Sequence, residues 1–570
     1  MCGIAGILGA NSKNGSTIQL MLEAQKHRGP DAMRIWNDDK VVLGHNRLSI
    51  IDLSESANQP MLSSCGNCVI VFNGEIYNYL ELKKELKAYS FSTTSDTEVL
   101  LVAYMEWGVE MLDKLNGMFS FAIWNKKENT LFAARDRFGV KPLYYTFFEN
   151  QFYFSSEIKT LFAAGIPKIK NKKVWANYFA YGTYGLPNET FFEGIHQLKA
   201  GHFLKINFSE NLDFNAVQFQ KWYDFPERIS RIKQLPKEEL AARYEALLND
   251  AVQLRFRADV PLGMNVSGGL DSSTLINLVQ RNLSSQKKIE AFTFYCDNEK
   301  YDELPWVNEL MKTTSYPLHK VLLDYKAIPD LIEKVSYYQD EPYGGFPTLA
   351  YSLLFESAKQ KGIKVILDGQ GMDEAWAGYD YYHNNSNNVI QGLNSSPVRP
   401  EAINEDFLKF AEKEIYEKPF NNQLQNLQFR DLFYTKIPRA LRFNDGISMM
   451  HSTELREPFL DYRLVELAFA QLEEMKLKNN QTKWLLRDLV KSQLGDSIAL
   501  APKRPLQTPQ REWISNELKD YFANKIAIFS NQDFVNKKEI QQIWNQYLSG
   551  NQDNSFYIWQ WVNFVTLSER

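Results

Sequence analysis

A cysteine stands second in this chain and is followed by Gly3-Ile4-Ala5-Gly6, so loss of Met1 leaves Cys2 with both a thiol and a free α-amine. One residue then supplies nucleophile and base. A small second residue permits initiator removal, and an unperturbed terminal amine, with a pKa near ~8, can take the thiol proton at neutral pH. A second chemical segment is Met264-Asn265-Val266-Ser267-Gly268-Gly269-Leu270-Asp271-Ser272-Ser273, an apolar strand turning through two glycines into a helix. Such a turn cradles phosphate: the glycines admit close backbone approach, the helix start offers unpaired N–H groups, and the serine hydroxyls add donors. Asp271 is suited to hold magnesium against phosphate oxygens. The Lys-Ser/Thr ending of a kinase-type P-loop is missing, which sets that reading aside. A third segment, Val365-Ile366-Leu367-Asp368-Gly369-Gln370-Gly371-Met372-Asp373-Glu374, repeats the order strand, glycine loop and helix, and places Asp373 to share a magnesium ion with Asp271.

These residues need two different scaffolds. Up to about residue 205 the chain reads as short strands, among them Val41 to Leu43, Val69 to Phe72, Met118 to Trp124, Thr130 to Ala134 and Gln151 to Ser155. Helices are expected after Tyr77 and from the cap Ser95. Between 206 and 236 the pattern dissolves into polar residues and proline, with Trp222 to Pro226 as a crossing strap, and a linker is expected there. Leu240, Tyr244, Leu247, Leu248, Ala251 and Val252 then mark an amphipathic helix, after which apolar runs alternate with helical stretches. That alternation predicts a parallel sheet with crossover helices over 237–570, turning mostly helical beyond about 400.

Composition narrows the function classes. At 570 residues the chain exceeds what a single core supports. Its net charge of −5 is spread without a basic block, so a small molecule is a better partner than a nucleic-acid backbone. No apolar run is long enough to span a bilayer, and four cysteines form no disulfide framework, so a cytoplasmic setting without membrane partners is expected. Cys65 and Cys68 have CxxC spacing with no second pair or nearby histidine to complete a zinc site.

Cys2-Gly3-Ile4, Arg47-Leu48-Ser49-Ile50, Asn73-Gly74-Glu75 and Ser267-Gly268-Gly269-Leu270-Asp271-Ser272, in that order, resemble the glutamine-hydrolysing asparagine synthetases. Arg135 to Tyr144, Glu454 to Asp461 and Lys483 to Arg487 extend the likeness over nearly the whole chain. The resemblance implies an α/β protein: an N-terminal αββα Ntn-hydrolase glutaminase over 2–205, and a parallel-sheet ATP-pyrophosphatase domain with a helical end over 237–570. In the first, Cys2 would attack the glutamine side-chain amide and Asn73 with Gly74 would form the oxyanion hole. Arg47, Leu48, Ser49, Ile50 and Ile51 would frame the substrate, with Arg47 on its α-carboxylate and Glu75 and Asp96 at its ammonium end. In the second, Asn265, Ser267, Gly268, Gly269, Leu270, Asp271, Ser272 and Ser273 would hold ATP, with Phe294, Asp368 and Gly369 near the adenosine. Asp271 and Asp373 would bind Mg2+, and Lys503 would stabilise charge at an acyl-adenylate. Ammonia would travel between the sites through an apolar passage. The implied substrates are glutamine, ATP and a carboxylate acceptor, with a homodimer as a compatible assembly.

The chain also departs from that pattern. Asparagine-forming members generally carry Gly-Glu-Gly where Gly369-Gln370-Gly371 stands, and that glutamate is their favoured general base. Either another carboxylate such as Glu374, Asp445 or Glu454 does the work, or ammonia needs no base, or the acceptor differs. Asn265 replaces an aliphatic residue beside adenine, and Glu457 occupies a stretch that more often reads Arg-Val-Pro. Aspartate is the default acceptor and another carboxylate, such as a uronic acid, the alternative.

Overall fold

The structure, a computed structural model, describes residues 2–9, 14–208, 212, 217–282, 288–383, 396–503 and 507–569. Met1 and parts of the 206–236 segment lie outside these. Two six-stranded antiparallel sheets stack face to face in the N-terminal part. The first runs His196–Gln197, Tyr144–Phe148, Gln151–Ser155, Gly3–Leu8, Val41–Arg47, Ala32–Asn37. The second runs Val217–Lys221, His202–Asn207, Thr130–Arg135, Gly117–Asn125, Cys68–Ile76, Met61–Leu62. Alternation sets the layers, because successive side chains on a strand point to opposite faces. Ile4, Leu8, Leu43, Val69, Val71 and Trp124 meet between the sheets. Ala5, Ile7 and Val42 turn outward to the helices Asn14–Ala24 and Ile158–Ala163, while Ile70, Phe72, Phe119 and Phe121 pack on Asp96–Trp107. The result is the αββα sandwich.

The expected strands and helices of this part are present. Ser95 caps its helix, its Oγ accepting a hydrogen bond from the Thr97 N–H at 3.2 Å. The segment expected as a linker differs: Val217–Lys221 pairs with His202–Asn207 as an edge strand of the second sheet, and Phe225–Ser230 forms a helix. Four of the five strand residues are exposed, so no buried alternation signals the strand.

The C-terminal part is built on a five-stranded parallel sheet in the order Leu318–Leu322, Ile289–Tyr295, Leu262–Asn265, Val365–Leu367, Glu454–Arg456. Helices Lys237–Leu254, Leu270–Asn282, Phe346–Gln360 and Lys436–Met450 cover it, and beyond 400 helices predominate. No helix among the described residues is long and apolar enough to cross a membrane.

Buried charge closes the seam between the two parts. Arg28 is fully buried; its Nη1 donates to Glu157 Oε1 and Asp445 Oδ2, both at 2.9 Å, and its Nε to the Cys2 carbonyl at 3.0 Å. Arg456, equally buried, donates from Nε to Glu454 at 2.6 Å and lies 3.3 Å from Glu75 of the other part. Removing one member of a buried pair strands the others. Arg28→Met is therefore expected to lower stability by about 3–5 kcal/mol in denaturant unfolding; a loss below about 1 kcal/mol would mean the seam is held by packing alone.

Candidate functional site

Cys2 lies immediately before the central strand Gly3–Leu8, buried at the carboxyl-end rim of Val41–Arg47, and its backbone N–H donates to Asn73 Oδ1 at 3.0 Å. Burial pushes its thiol up, against the pull of the Leu48 backbone N–H and the Arg47 guanidinium. Asn73 and Gly74 sit on Cys68–Ile76 beside it. Asn73 Nδ2 is a buried donor with no hydrogen-bond partner among the described residues, the kind of group that a developing oxyanion would satisfy. Only glycine fits at 74: a Cβ there would lie 2.1 Å from the Met118 carbonyl oxygen.

Two buried carboxyls lie near one another here. Asp96 accepts from the Ile76 N–H at 2.9 Å and is pushed up to about 6 by burial. Glu75 is raised well above the usual carboxylate range by burial and by the nearby Glu454 charge, and its Oε2 has no hydrogen-bond partner among the described residues. Arg47 is arranged otherwise than expected: its terminal nitrogens donate to the carbonyls of Ser54 at 2.7 Å, Ile51 at 3.4 Å and Asp52, and to Asn58 Oδ1 at 2.9 Å. It gathers the loop containing Leu48, Ser49, Ile50 and Ile51, so a grip on a carboxylate requires those bonds to be exchanged.

The second cluster lies at the carboxyl ends of the parallel strands, where open α/β sheets collect ligands. Ser267 to Ser272 line a cavity of about 420 Å3, together with Asp373, Tyr379, Lys436, Lys483 and Lys503. An adjoining cavity of about 160 Å3 is lined by Asn265, Phe294, Asp368, Gly369 and Gln370. Gly268 turns the loop at φ +68°, and helix Leu270–Asn282 begins directly after it. Ser267 Oγ and Ser272 Oγ are 3.1 Å apart, and Ser273 Oγ is buried with no hydrogen-bond partner among the described residues. Asn265 Nδ2 donates to Asp368 Oδ2 at 2.9 Å, so this departure fixes the orientation of an expected adenosine-side carboxylate.

Among the cations here a role at the adenylate is expected for Lys503, whereas Lys483 and Lys436 carry no such expectation. Lys483, at φ +55°, puts its Nζ 2.6 Å from both Asp271 Oδ2 and Asp373 Oδ1. Lys503 pairs with the other oxygen of Asp373 and lies 4.3 Å from the Tyr379 ring centroid. Burial opposes ionisation of Asp373, yet Lys483 and Lys503 hold it well below the usual range; burial raises Asp271 against the pull of Lys483. Two hard oxygen ligands facing one another across a single ammonium suit Mg2+, which binds through one or two carboxylates plus phosphate oxygens. Lys436 lines the same cavity and is drawn down to about 8 by burial.

The three carboxylates considered as substitutes for a base at Gln370 occupy different settings. Asp445 is paired with Arg28 and Glu454 with Arg456. Glu374 accepts from the Tyr379 hydroxyl at 2.6 Å and is raised to about 7 by burial and by Asp373.

Residues 1–222 match the family model of the glutamine amidotransferase domain, and residues 243–569 that of asparagine synthase. The chain belongs to the glutamine-hydrolysing asparagine synthetase family. Asparagine synthetase [glutamine-hydrolyzing] 3 of Bacillus subtilis is 30% identical over 95% of this chain and 93% of its own length. Asparagine synthetase [glutamine-hydrolyzing] 1 of the same organism is 28% identical over 99% and 96%. Amidase chry2 of Gibberella zeae is 27% identical over 90% of each. Membership in this asparagine synthetase family makes the chain a glutamine-dependent, ATP-using carbon–nitrogen ligase.

Proposed function

We propose that the protein converts a carboxylate to its amide through an acyl-adenylate, with aspartate as the acceptor and asparagine as the product. The observation that supports this best is the pairing, within one chain, of a buried Cys2 beside an unpartnered Asn73 donor with a phosphate-type loop facing Asp373, Lys483 and Lys503. Cys2 Sγ attacks the glutamine amide carbon after its proton passes to the α-amine that Met1 removal frees. Asn73 Nδ2 and Gly74 meet the oxyanion, ammonia leaves, and water releases glutamate from the thioester. Glu75 and Asp96 hold the substrate ammonium, and Arg47, once it exchanges its bonds to the loop carbonyls, holds the carboxylate.

In the second pocket an acceptor oxygen attacks the α-phosphorus of ATP and pyrophosphate leaves. Ammonia then displaces AMP, and one proton goes to solvent. Ser267, Gly268, Gly269, Leu270, Ser272 and Ser273 cradle the phosphates, and Asn265, Phe294, Asp368 and Gly369 surround the adenosine. Asp271 and Asp373 would hold Mg2+, which supplies charge neutralisation on the phosphates. Lys503 steadies the adenylate. Offering aspartate and a uronic acid separately, and measuring acceptor-dependent pyrophosphate release, tests the assignment. Release with the uronic acid alone would transfer the reading to sugar carboxylates, an outcome that the Gln370 loop makes worth measuring.

A pH effect follows from Asp96. Burial favours its neutral form, whereas binding an ammonium needs the carboxylate. Glutamine kcat/KM is therefore expected to be full above pH 6 and to fall by up to about tenfold per unit below it. Asp96→Asn should remove that inflection; its survival in the variant would assign the inflection elsewhere.

A further inference from the structure

Glu457, a departure from the family pattern, lies between the two sites. It caps the turn Pro458–Leu460 immediately after the strand Glu454–Arg456. On one side its neighbour Arg456 reaches Glu75 of the glutamine pocket at 3.3 Å. On the other, the Arg456 carbonyl accepts from the Asp368 N–H at 2.9 Å, at the head of the Gly369-Gln370-Gly371 loop. Glu457, Met118, Val140, Asn116 and Leu460 help line a cavity of about 20 Å3 in the seam, room for one molecule the size of water or ammonia. Met118 is the strand partner of Glu75, and Leu460 packs against Gly371, where a Cβ would meet its Cδ2 at 2.5 Å. The cavity therefore touches the wall of both pockets.

The other charges around it have partners. Asp136 accepts from the backbone N–H groups of Phe119, Val140 and Lys141; Arg137 donates to the Leu115 carbonyl; Arg255 pairs with Asp461 at 3.1 Å; Asp445 pairs with Arg28; Asp368 accepts from Asn265. The Glu457 carboxylate, 5% exposed, forms no hydrogen bond or ion pair among the described residues. Lys141, 1% exposed, is a nearby cation that forms no ion pair among the described residues, and its charge acts on Glu457. A buried carboxylate without a hydrogen-bond partner is costly unless something enters to use it.

We propose that Glu457 is the proton acceptor for the nitrogen in transit, taking a proton from ammonium so that neutral ammonia reaches the acyl-adenylate. This rests on the proposed glutamine-dependent amidation. The step balances: an N–H bond of ammonium breaks, its electron pair stays on nitrogen, and the proton bonds to a Glu457 oxygen. That proton is the one set free when glutamine is hydrolysed to the glutamate carboxylate, separate from the proton lost when ammonia forms the amide, and it then passes to solvent and restores the Glu457 carboxylate. Burial pushes Glu457 up to about 8, with Lys141 and Arg255 pulling down and Asp368 and Asp445 pushing up. A base in that range can exchange protons with ammonium near neutral pH.

The test uses the full-length enzyme, glutamine, ATP and whichever acceptor gives pyrophosphate release with the wild type. In Glu457→Gln, glutamate and pyrophosphate formation should stay within about twofold, showing an intact fold and two working pockets. Amide formed per glutamate should fall at pH 7 by about tenfold or more and recover as pH rises and more ammonia is already neutral. Glu457→Asp should restore part of the yield at pH 7. Unchanged coupling in Glu457→Gln at pH 7, or a loss that does not respond to pH, overturns the proposal. A wild type that releases no pyrophosphate with any carboxylate overturns the underlying reading instead.

Discussion

Replacing Cys2 with alanine is expected to reduce glutamine-dependent amide formation at least about a thousandfold, while synthesis from added ammonia stays within about twofold. The asymmetry follows from geometry. Among the described residues the Cys2 Sγ is the only thiol beside the unpartnered Asn73 donor, since Cys68 lies at the starting end of the strand that carries Asn73, Cys65 in the turn before it and Cys296 in the second part. Alanine keeps the backbone N–H to Asn73 and the carbonyl bond to Arg28, so the seam is preserved. Rates of asparagine or other amide formation with glutamine and with ammonium chloride, on the same preparation, decide the matter. Equal loss with both nitrogen sources would refute the separation of nitrogen release from nitrogen use.

The second large effect is expected at Asp373. Asp373→Asn should lower acceptor-dependent AMP formation by about 10²–10³ and leave glutamine hydrolysis within about twofold. The side chain keeps its shape but loses the charge that Lys483 and Lys503 stabilise, and with it half of the carboxylate pair suited to Mg2+. The two lysines then face one carboxylate, Asp271, instead of two. A magnesium titration separates the two contributions: a raised metal requirement points to lost coordination, and an unaltered one to disturbance of the lysines. Retention of more than a tenth of the wild-type rate would remove Asp373 from the chemistry altogether.

The parts of both sites that depend on short, consecutive segments were legible in the sequence. Cys2 and the loop Ser267 to Ser273 carry their chemistry within a few residues, and the surrounding strands alternate clearly enough to place them. What remained hidden depends on contacts across hundreds of positions. Lys483 reaches Asp271 over 212 residues and Arg28 reaches Asp445 over 417, and no local periodicity encodes such encounters. Arg47 had the right residue type but a different set of partners, because nearby carbonyls compete for a guanidinium as well as any substrate does. The edge strand Val217–Lys221 was read as linker because its exposed residues show the polar character of a loop.

The charge-stitched seam bears on how this architecture can be recombined. Arg28 finds a counter-ion in Asp445, and Glu75 finds one in Arg456, each on the opposite half of the chain. A front half grafted from one relative onto the back half of another would bring ions whose mates stay behind. Such hybrids should fold only when the matching residues are exchanged along with it, so the two catalytic halves are inherited as a set.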